Sequence, residues 1–234
     1  MIDQTMTAVR EPVAVELISG PTEAGGLAHF ELAHARLVLA QLKKLLGRQG
    51  LLDLLADEIE RGNAYLRDMA SQSNGELRPT TIVLEARGIK AGQFLRWLGA
   101  AFQDEPVLLA AEPDHYAMFL NIDTSVTVVE RLGLHASRVL LPAFDKAPAW
   151  TADTADALLP ESDYPFRRIA DITLSDGTIV GRMLNQFGDT DDGFRANITA
   201  YFPTACPEEF FEHHRQHIAV EFSNWIRAAA EEQH

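Results

Sequence analysis

Histidine and glutamate residues are concentrated near the C-terminal end of the sequence, in a stretch whose periodicity predicts one long helix. His217 and Glu221 are four residues apart, so on a helix they project side by side from one face. An imidazole and a carboxylate at that spacing can share one metal ion. Solvated surface pairs commonly have the same spacing, so both interpretations stay open. His214 lies just under one turn before His217, nearer the apolar side, and is either a candidate general acid or base or a core-edge histidine.

Two residues from the middle of the chain are candidates for the same metal site. His115 begins a predicted strand, and Glu130 interrupts the apolar run from Val126 to Leu132. Taken alone, His115 is more often a turn residue, and Glu130 more often points outward between inward-facing neighbours. Strand residues whose face cannot be assigned without the register are candidate substrate contacts: Tyr116, Asn185 and Tyr201.

The composition is that of an ordinary globular protein and argues against several classes of function. The chain has 234 residues, 47% of them hydrophobic and 23% charged, with a formal net charge of -14 that opposes binding to nucleic acid. No apolar run approaches the roughly 20 residues of a membrane span, and the N-terminus lacks the pattern of a signal peptide. A single cysteine, Cys206, leaves no internal disulfide, and we expect a cytoplasmic protein.

The first 75 residues are predicted to form a leader and a helical hairpin. Residues 1–27 have no readable role. Apolar residues at alternating spacings of three and four predict helices from Ala28 to Leu46 and from Leu51 to Ala70, separated by Gly47 and Gly50. Such a hairpin needs a partner surface for its apolar face, and a homodimer through these helices is one hypothesis.

Residues 76–234 are predicted to form an α+β domain. A strand from Thr80 to Ala86 and a short helix from Lys90 to Phe102 come first, and an uninterrupted helix from Pro207 to Glu232 comes last. Strands joined by short turns are predicted between them: Tyr116–Ile122, Ser125–Glu130, Ser137–Ala143, Phe166–Leu174, Thr178–Gln186 and Phe194–Phe202. This order predicts a curved antiparallel sheet that grips the last helix, with a ligand cavity between them.

The sequence resembles the 2,4-diacetylphloroglucinol and phloretin hydrolases between about Lys90 and Trp225. These enzymes cleave a carbon–carbon bond between a phenolic ring and an acyl group. The resemblance rests on an aromatic helix, the segment that follows it, three strand segments and the final helix: Phe94–Trp97, Glu112–Tyr116, Val129–Arg131, Gly181–Phe187, Asp189–Thr199 and His217–Phe222. It implies a Bet v 1-type helix-grip fold and a zinc ion. It also implies that the matching zinc ligands are His115, Glu130, His217 and Glu221.

Two functions are compatible with these patterns. The first is a zinc-dependent hydrolase that cleaves an aryl–acyl carbon–carbon bond, in which the metal polarises the carbonyl and His214 transfers protons. The second is a non-catalytic helix-grip protein that binds a small apolar or aromatic molecule. Gly-rich phosphate loops and a nucleophile elbow are not found in the sequence, which disfavours nucleotide binding and serine hydrolase chemistry. The two functions differ in whether the four candidate ligands converge.

Overall fold

The computed structural model describes residues 17–20, 25–142 and 157–232. The described residues form five helices and seven strands. The helices are α1 (Leu27–Leu54), α2 (Ala56–Gln72), α3 (Ala91–Ala101), α4 (Glu105–Ala111) and α5 (Glu208–Glu231). The strands are β1 (Leu77–Arg87), β2 (His115–Leu120), β3 (Val126–Leu132), β4 (His135–Leu141), β5 (Phe166–Thr173), β6 (Ile179–Asp189) and β7 (Gly193–Pro203).

All seven strands belong to one antiparallel sheet with the order β1-β7-β6-β5-β4-β3-β2. Strands from β2 to β7 follow one another along the chain, and β1 pairs along its whole length with β7. The pairing between β4 and β5 is short: among the described residues, Leu140 and Thr173 are the one pair of Cα partners. The sheet is curled into a half-barrel around α5, and this confirms the predicted α+β helix-grip class.

The long final helix fills the concave side of the sheet. Its apolar face buries Phe211, Ile218, Phe222 and Trp225 in a core that also contains residues of α3 and of the inner sheet face. Phe94 from α3 lies against Phe222, with ring centroids 6.5 Å apart. Because aromatic side chains bury large apolar areas, this contact fixes α5 against the sheet and sets the direction in which its polar flank points.

The chain divides into two compact units, Met1–Gln41 and Leu42–His234. The described part of the first unit contains the beginning of α1. The second unit contains the rest of α1, and in it α2 packs against β4 and β6. Most of the predicted leader lies outside the described residues, and the predicted domain boundary at residue 75 stays a prediction.

The break between the first two helices differs in detail from the predicted hairpin. Gly47 has φ 65° and ψ 173°, a conformation that glycine adopts easily, and it kinks α1 instead of ending it. The chain becomes helical again up to Leu54, and α2 begins at Ala56. The prediction also missed α4, a short helix with Pro106 in its first turn. No described helix is long and apolar enough to cross a membrane.

A substitution at Gly62 of α2 tests how closely this helix packs on the sheet. A Cβ atom at this position would overlap the carbonyl oxygen of Ala136 in β4. We therefore expect Gly62→Ala to lower the free energy of unfolding by about 1–3 kcal/mol, the usual cost of overpacking. Urea denaturation measures this change.

Gly99→Ala is the matched control. Gly99 also lies in a helix, but a Cβ atom there has no neighbour within 4 Å. We expect it to raise the free energy of unfolding by about 0.5–1 kcal/mol, because alanine favours the helix. Equal effects of the two substitutions would contradict the close contact between α2 and β4.

Candidate metal centre and cavity

The hairpin of β2 and β3 brings His115 and Glu130 together. These residues are direct Cα partners in the antiparallel register, and a turn closed by Asn121 and Ser125 joins the two strands. Side chains of cross-strand partners project from the same face of a sheet. The Nε2 atom of His115 lies 3.2 Å from Oε2 of Glu130, and both side chains are buried.

Helix α5 adds His217 and Glu221 to the same place. Their spacing puts both side chains on the flank of the helix that faces β2 and β3. The Nε2 atom of His217 lies 3.1 Å from Oε2 of Glu130 and 3.2 Å from Nε2 of His115. Oε1 of Glu221 lies 3.4 Å from Nε2 of His115. The four residues predicted as metal ligands are therefore neighbours in the buried core.

The geometry of this cluster fits a zinc ion. His115 Nε2, Glu130 Oε2 and His217 Nε2 form a nearly equilateral triangle with sides of 3.1 and 3.2 Å. Ligands at 2.0–2.1 Å from a tetrahedral zinc ion are about 3.3 Å from one another, so the triangle matches one face of such a tetrahedron. Glu221 approaches the triangle at His115, 3.4 Å away, but it lies outside the group of three residues whose possible ligand atoms are all within 4.8 Å of one another.

Charge is unequally distributed within the cluster. Burial opposes ionisation of Glu130, but the charge of His217 and hydrogen bonds from both histidines hold the pKa of Glu130 well below its usual value. Burial likewise opposes the charged form of His217, and the Glu130 carboxylate overcomes this and raises the pKa of His217 to about 9. Burial raises the pKa of Glu221 to about 7, against the charges of His115 and His217. A divalent cation can replace the protons that this cluster holds at neutral pH.

The cluster lies at the wall of an apolar cavity of about 320 Å³ between α5 and the sheet. Residues of α3 and of the inner face of the sheet supply most of the lining. Cavities of this size bind small molecules and hold them mainly by apolar contact. The buried polar residues in the lining are Glu130, Asn185, His214, His217 and Glu221.

His214 and Asn185 reach this cavity, as the sequence predicted for a catalytic and a substrate-binding residue, although their roles stay predictions. The ring of His214 is stacked on that of His217, with centroids 5.5 Å apart and planes inclined by 10°. Burial, with a contribution from the charge of His217, lowers the pKa of His214 to about 3. His214 is therefore a neutral imidazole at pH 7, with one nitrogen able to accept a proton.

The two predicted tyrosine contacts lie elsewhere. Tyr116 packs in a separate cluster with Ile59 and Val129, next to an irregularity in the β2–β3 register. Tyr201 lies between Ala200 and Phe202, which both line the cavity, so its own side chain projects from the opposite face of β7. The structure brings neither tyrosine into the cavity. Trp225 of α5, to which sequence analysis gave no site role, does line it.

Comparisons with known proteins identify no family for this chain. No family model and no curated protein matches the sequence. Among solved structures, Ara h 8.0201 has a TM-score of 0.44 at 11% identity and covers 67% of this chain and 99% of its own. A putative uncharacterised protein from Rhizobium leguminosarum has a TM-score of 0.37 at 10% identity, and the match covers 67% of this chain and 97% of that protein. Protein Ms6760 from Mycobacterium smegmatis has a TM-score of 0.37 at 15% identity, and the match covers 68% of this chain and 98% of that protein.

Strand order and the gripped final helix define the architecture as Bet v 1-like. The resemblance to the 2,4-diacetylphloroglucinol and phloretin hydrolases concerns a narrower group than this fold. The fold by itself therefore does not show that the chain belongs to this narrower group.

We expect zinc affinity to rise with pH up to about 9. Metal ligands must be deprotonated, so zinc displaces the proton that His217 holds below its pKa of about 9. Below about pH 7, zinc must also displace a proton from Glu221. The association constant should rise about tenfold per pH unit between pH 7 and 9 and more steeply below pH 7. Calorimetry in buffers of different ionisation enthalpy counts the released protons, and a pH-independent affinity would contradict ligation by His217.

Proposed function

We propose that this protein is a zinc-dependent hydrolase that cleaves the carbon–carbon bond between a phenolic ring and an acyl group. The observation that carries this proposal is the buried triangle of two imidazole nitrogens and one carboxylate oxygen at the wall of an apolar cavity. A carrier of apolar molecules has no need for such a cluster, because burying ionisable groups costs free energy. The resemblance to hydrolases of acylated phenols supports the reaction class.

The donor set suits zinc, since two neutral imidazoles and two carboxylates satisfy a borderline cation and balance its charge. When bound, zinc supplies Lewis-acid polarisation of a carbonyl group and lowers the pKa of water. His115, Glu130 and His217 would hold the ion, and Glu221 would complete its coordination. The nearby cavity would hold the aromatic ring of the substrate.

The reaction adds water across one bond. The water oxygen bonds to the carbonyl carbon, and the bond between that carbon and the ring breaks with its electron pair on the ring carbon. The ring carbon then takes a proton, so the products are a carboxylic acid and an arene. Ring hydroxyl groups assist, because the departing ring can hold the charge on oxygen.

Two residues of the chain itself would act on the substrate. His214 lines the cavity, and although burial makes its neutral ring a weak base, negative charge that develops on the substrate beside it would favour its protonated form; it would then take the proton of the attacking water and donate it to the ring carbon. The stacked ring of His217 and the edge of Phe202 hold it in place. Asn185 offers an amide to a substrate hydroxyl group from the opposite wall of the cavity.

Metal content and turnover test the proposal together. We expect tag-free wild-type protein to hold near-stoichiometric zinc by plasma mass spectrometry and to hydrolyse members of an acylphenol panel. His217→Ala and Glu130→Gln should lose most of the zinc and at least about 100-fold in turnover, since each removes a vertex of the triangle. His213→Ala is the matched control on the same helix, because His213 does not line the cavity.

A non-catalytic helix-grip protein that binds an apolar or aromatic molecule is the alternative function. The mainly apolar cavity of about 320 Å³ is the observation that favours it. Wild-type protein that cannot be loaded with zinc but binds phenolic ligands would reject the hydrolase and support this alternative. Zinc-loaded protein that binds acylphenols without converting them would also reject hydrolysis.

We also propose that the protein forms a homodimer through the first two helices. In the second unit, α1 exposes Leu42, Leu45 and Leu54, with exposed fractions between 51% and 74%. Two copies of such a surface can cover one another. We expect the double substitution Leu42→Glu and Leu45→Glu to produce a monomer in sedimentation velocity experiments without loss of fold. An unchanged sedimentation coefficient would contradict this interface.

A further inference from the structure

Glu112, directly after α4, is a buried carboxylate for which sequence analysis gave no role. It is 6% exposed. Its Oε1 atom accepts a hydrogen bond from the backbone N–H of Asp114, at 3.2 Å. Its Oε2 atom is buried and has no hydrogen-bond partner among the described residues. Since a buried carboxylate oxygen without a donor is costly, this atom requires an explanation.

His217, which lies near Glu112, also has a buried polar atom without a hydrogen-bond partner among the described residues. The Nδ1 atom of His217 is also buried and has no partner within the described chain, while its Nε2 atom faces the metal triangle. Glu112 has a carboxylate oxygen within 4.8 Å of a ring nitrogen of His217. The two side chains that carry these unpartnered atoms are therefore neighbours.

Several side chains hold the segment around Glu112 in place. Asn224 of α5 donates a hydrogen bond to the carbonyl oxygen of Ala111, at 2.7 Å. Lys43 donates to the carbonyl oxygens of Pro113 and His115, at 2.9 and 2.5 Å. The segment is thus attached to α5 on one side and to α1 on the other. Its position relative to His217 is fixed, which is what precise orientation of a ring requires.

Glu112 lies outside the cavity lining, as His115 does. Glu130, His217 and Glu221 all line the cavity, whereas Glu112 does not. A substrate in the cavity therefore does not touch Glu112. Ligating histidines commonly donate their second ring N–H to a carboxylate, which fixes the tautomer and the ring orientation.

We infer that Glu112 is a positioning residue that accepts a hydrogen bond from Nδ1–H of His217 and so directs Nε2 of that ring at the metal. This inference rests on the proposed zinc site, although the hydrogen bond can be tested in metal-free protein without any turnover. Asp114 is not the equivalent acceptor, because its carboxylate already pairs with Arg131 at 2.9 Å.

Zinc affinity is the first test. Competition with a chromophoric chelator at neutral pH should show 10- to 100-fold weaker binding in Glu112→Ala and a smaller loss in Glu112→Gln, which keeps an acceptor but not the charge. Asp114→Asn is the matched control in the same segment and should bind zinc within about threefold of wild type. Wild-type affinity in both Glu112 variants, or an equal loss in the control, would overturn the inference.

Nuclear magnetic resonance of ¹⁵N-histidine-labelled, metal-free protein is the second test, and it requires neither zinc nor turnover. We expect a slowly exchanging Nδ1–H proton on His217 in wild type, shifted in Glu112→Gln and lost to exchange in Glu112→Ala. A resonance that neither substitution moves would overturn the inference even if zinc binds. Conversely, wild-type protein that shows this proton but binds no zinc would reject the proposed hydrolase and leave the hydrogen bond standing.

Discussion

Ionisable groups in an apolar core are stable only when their charges and hydrogen bonds are compensated, and this constraint organises the centre of the protein. Removing one partner of a buried ion pair commonly costs about 3–5 kcal/mol, because the other charge is left uncompensated. His115, Glu130 and His217 compensate one another within 3.2 Å. The register of β2 with β3 and the orientation of α5 must both be correct for this to happen. The cluster can therefore form only when the sheet is packed correctly around α5.

Much of the architecture could be predicted from the sequence, because the patterns that determine it are local. Period-two strands with short turns predicted the antiparallel meander, and the long uninterrupted stretch after Cys206 predicted α5. The i and i+4 spacing of His217 and Glu221 likewise predicted a shared face. The structure places their side chains in the core with those of His115 and Glu130, although no sequence pattern connects the two pairs.

Features that depend on register or on distant contacts could not be predicted in this way. Tyr201 was a candidate for the cavity because its face was unknown, and a shift of one residue reverses every side chain of a strand. The bulge after His115 similarly turns Tyr116 into another cluster. No periodic pattern in the sequence pointed to Glu112, because the residues around it belong to α1, α5 and the end of α4. In Glu112-Pro-Asp-His-Tyr116, the sequence gave candidate roles to the histidine and the tyrosine but none to the glutamate.

The distribution of the ligands along the chain also sets an order of events during protein synthesis. Glu130 precedes Glu221 by about 90 residues and His115 precedes it by more than 100, so that roughly 5–20 s of translation separate them. During that interval the hairpin can form with an imidazole and a carboxylate on its apolar face, but without the helix that covers them. Strand β1 must also wait for β7, its neighbour in the sheet. A nascent chain therefore contains only part of the candidate metal site, and the site is complete only after translation of α5.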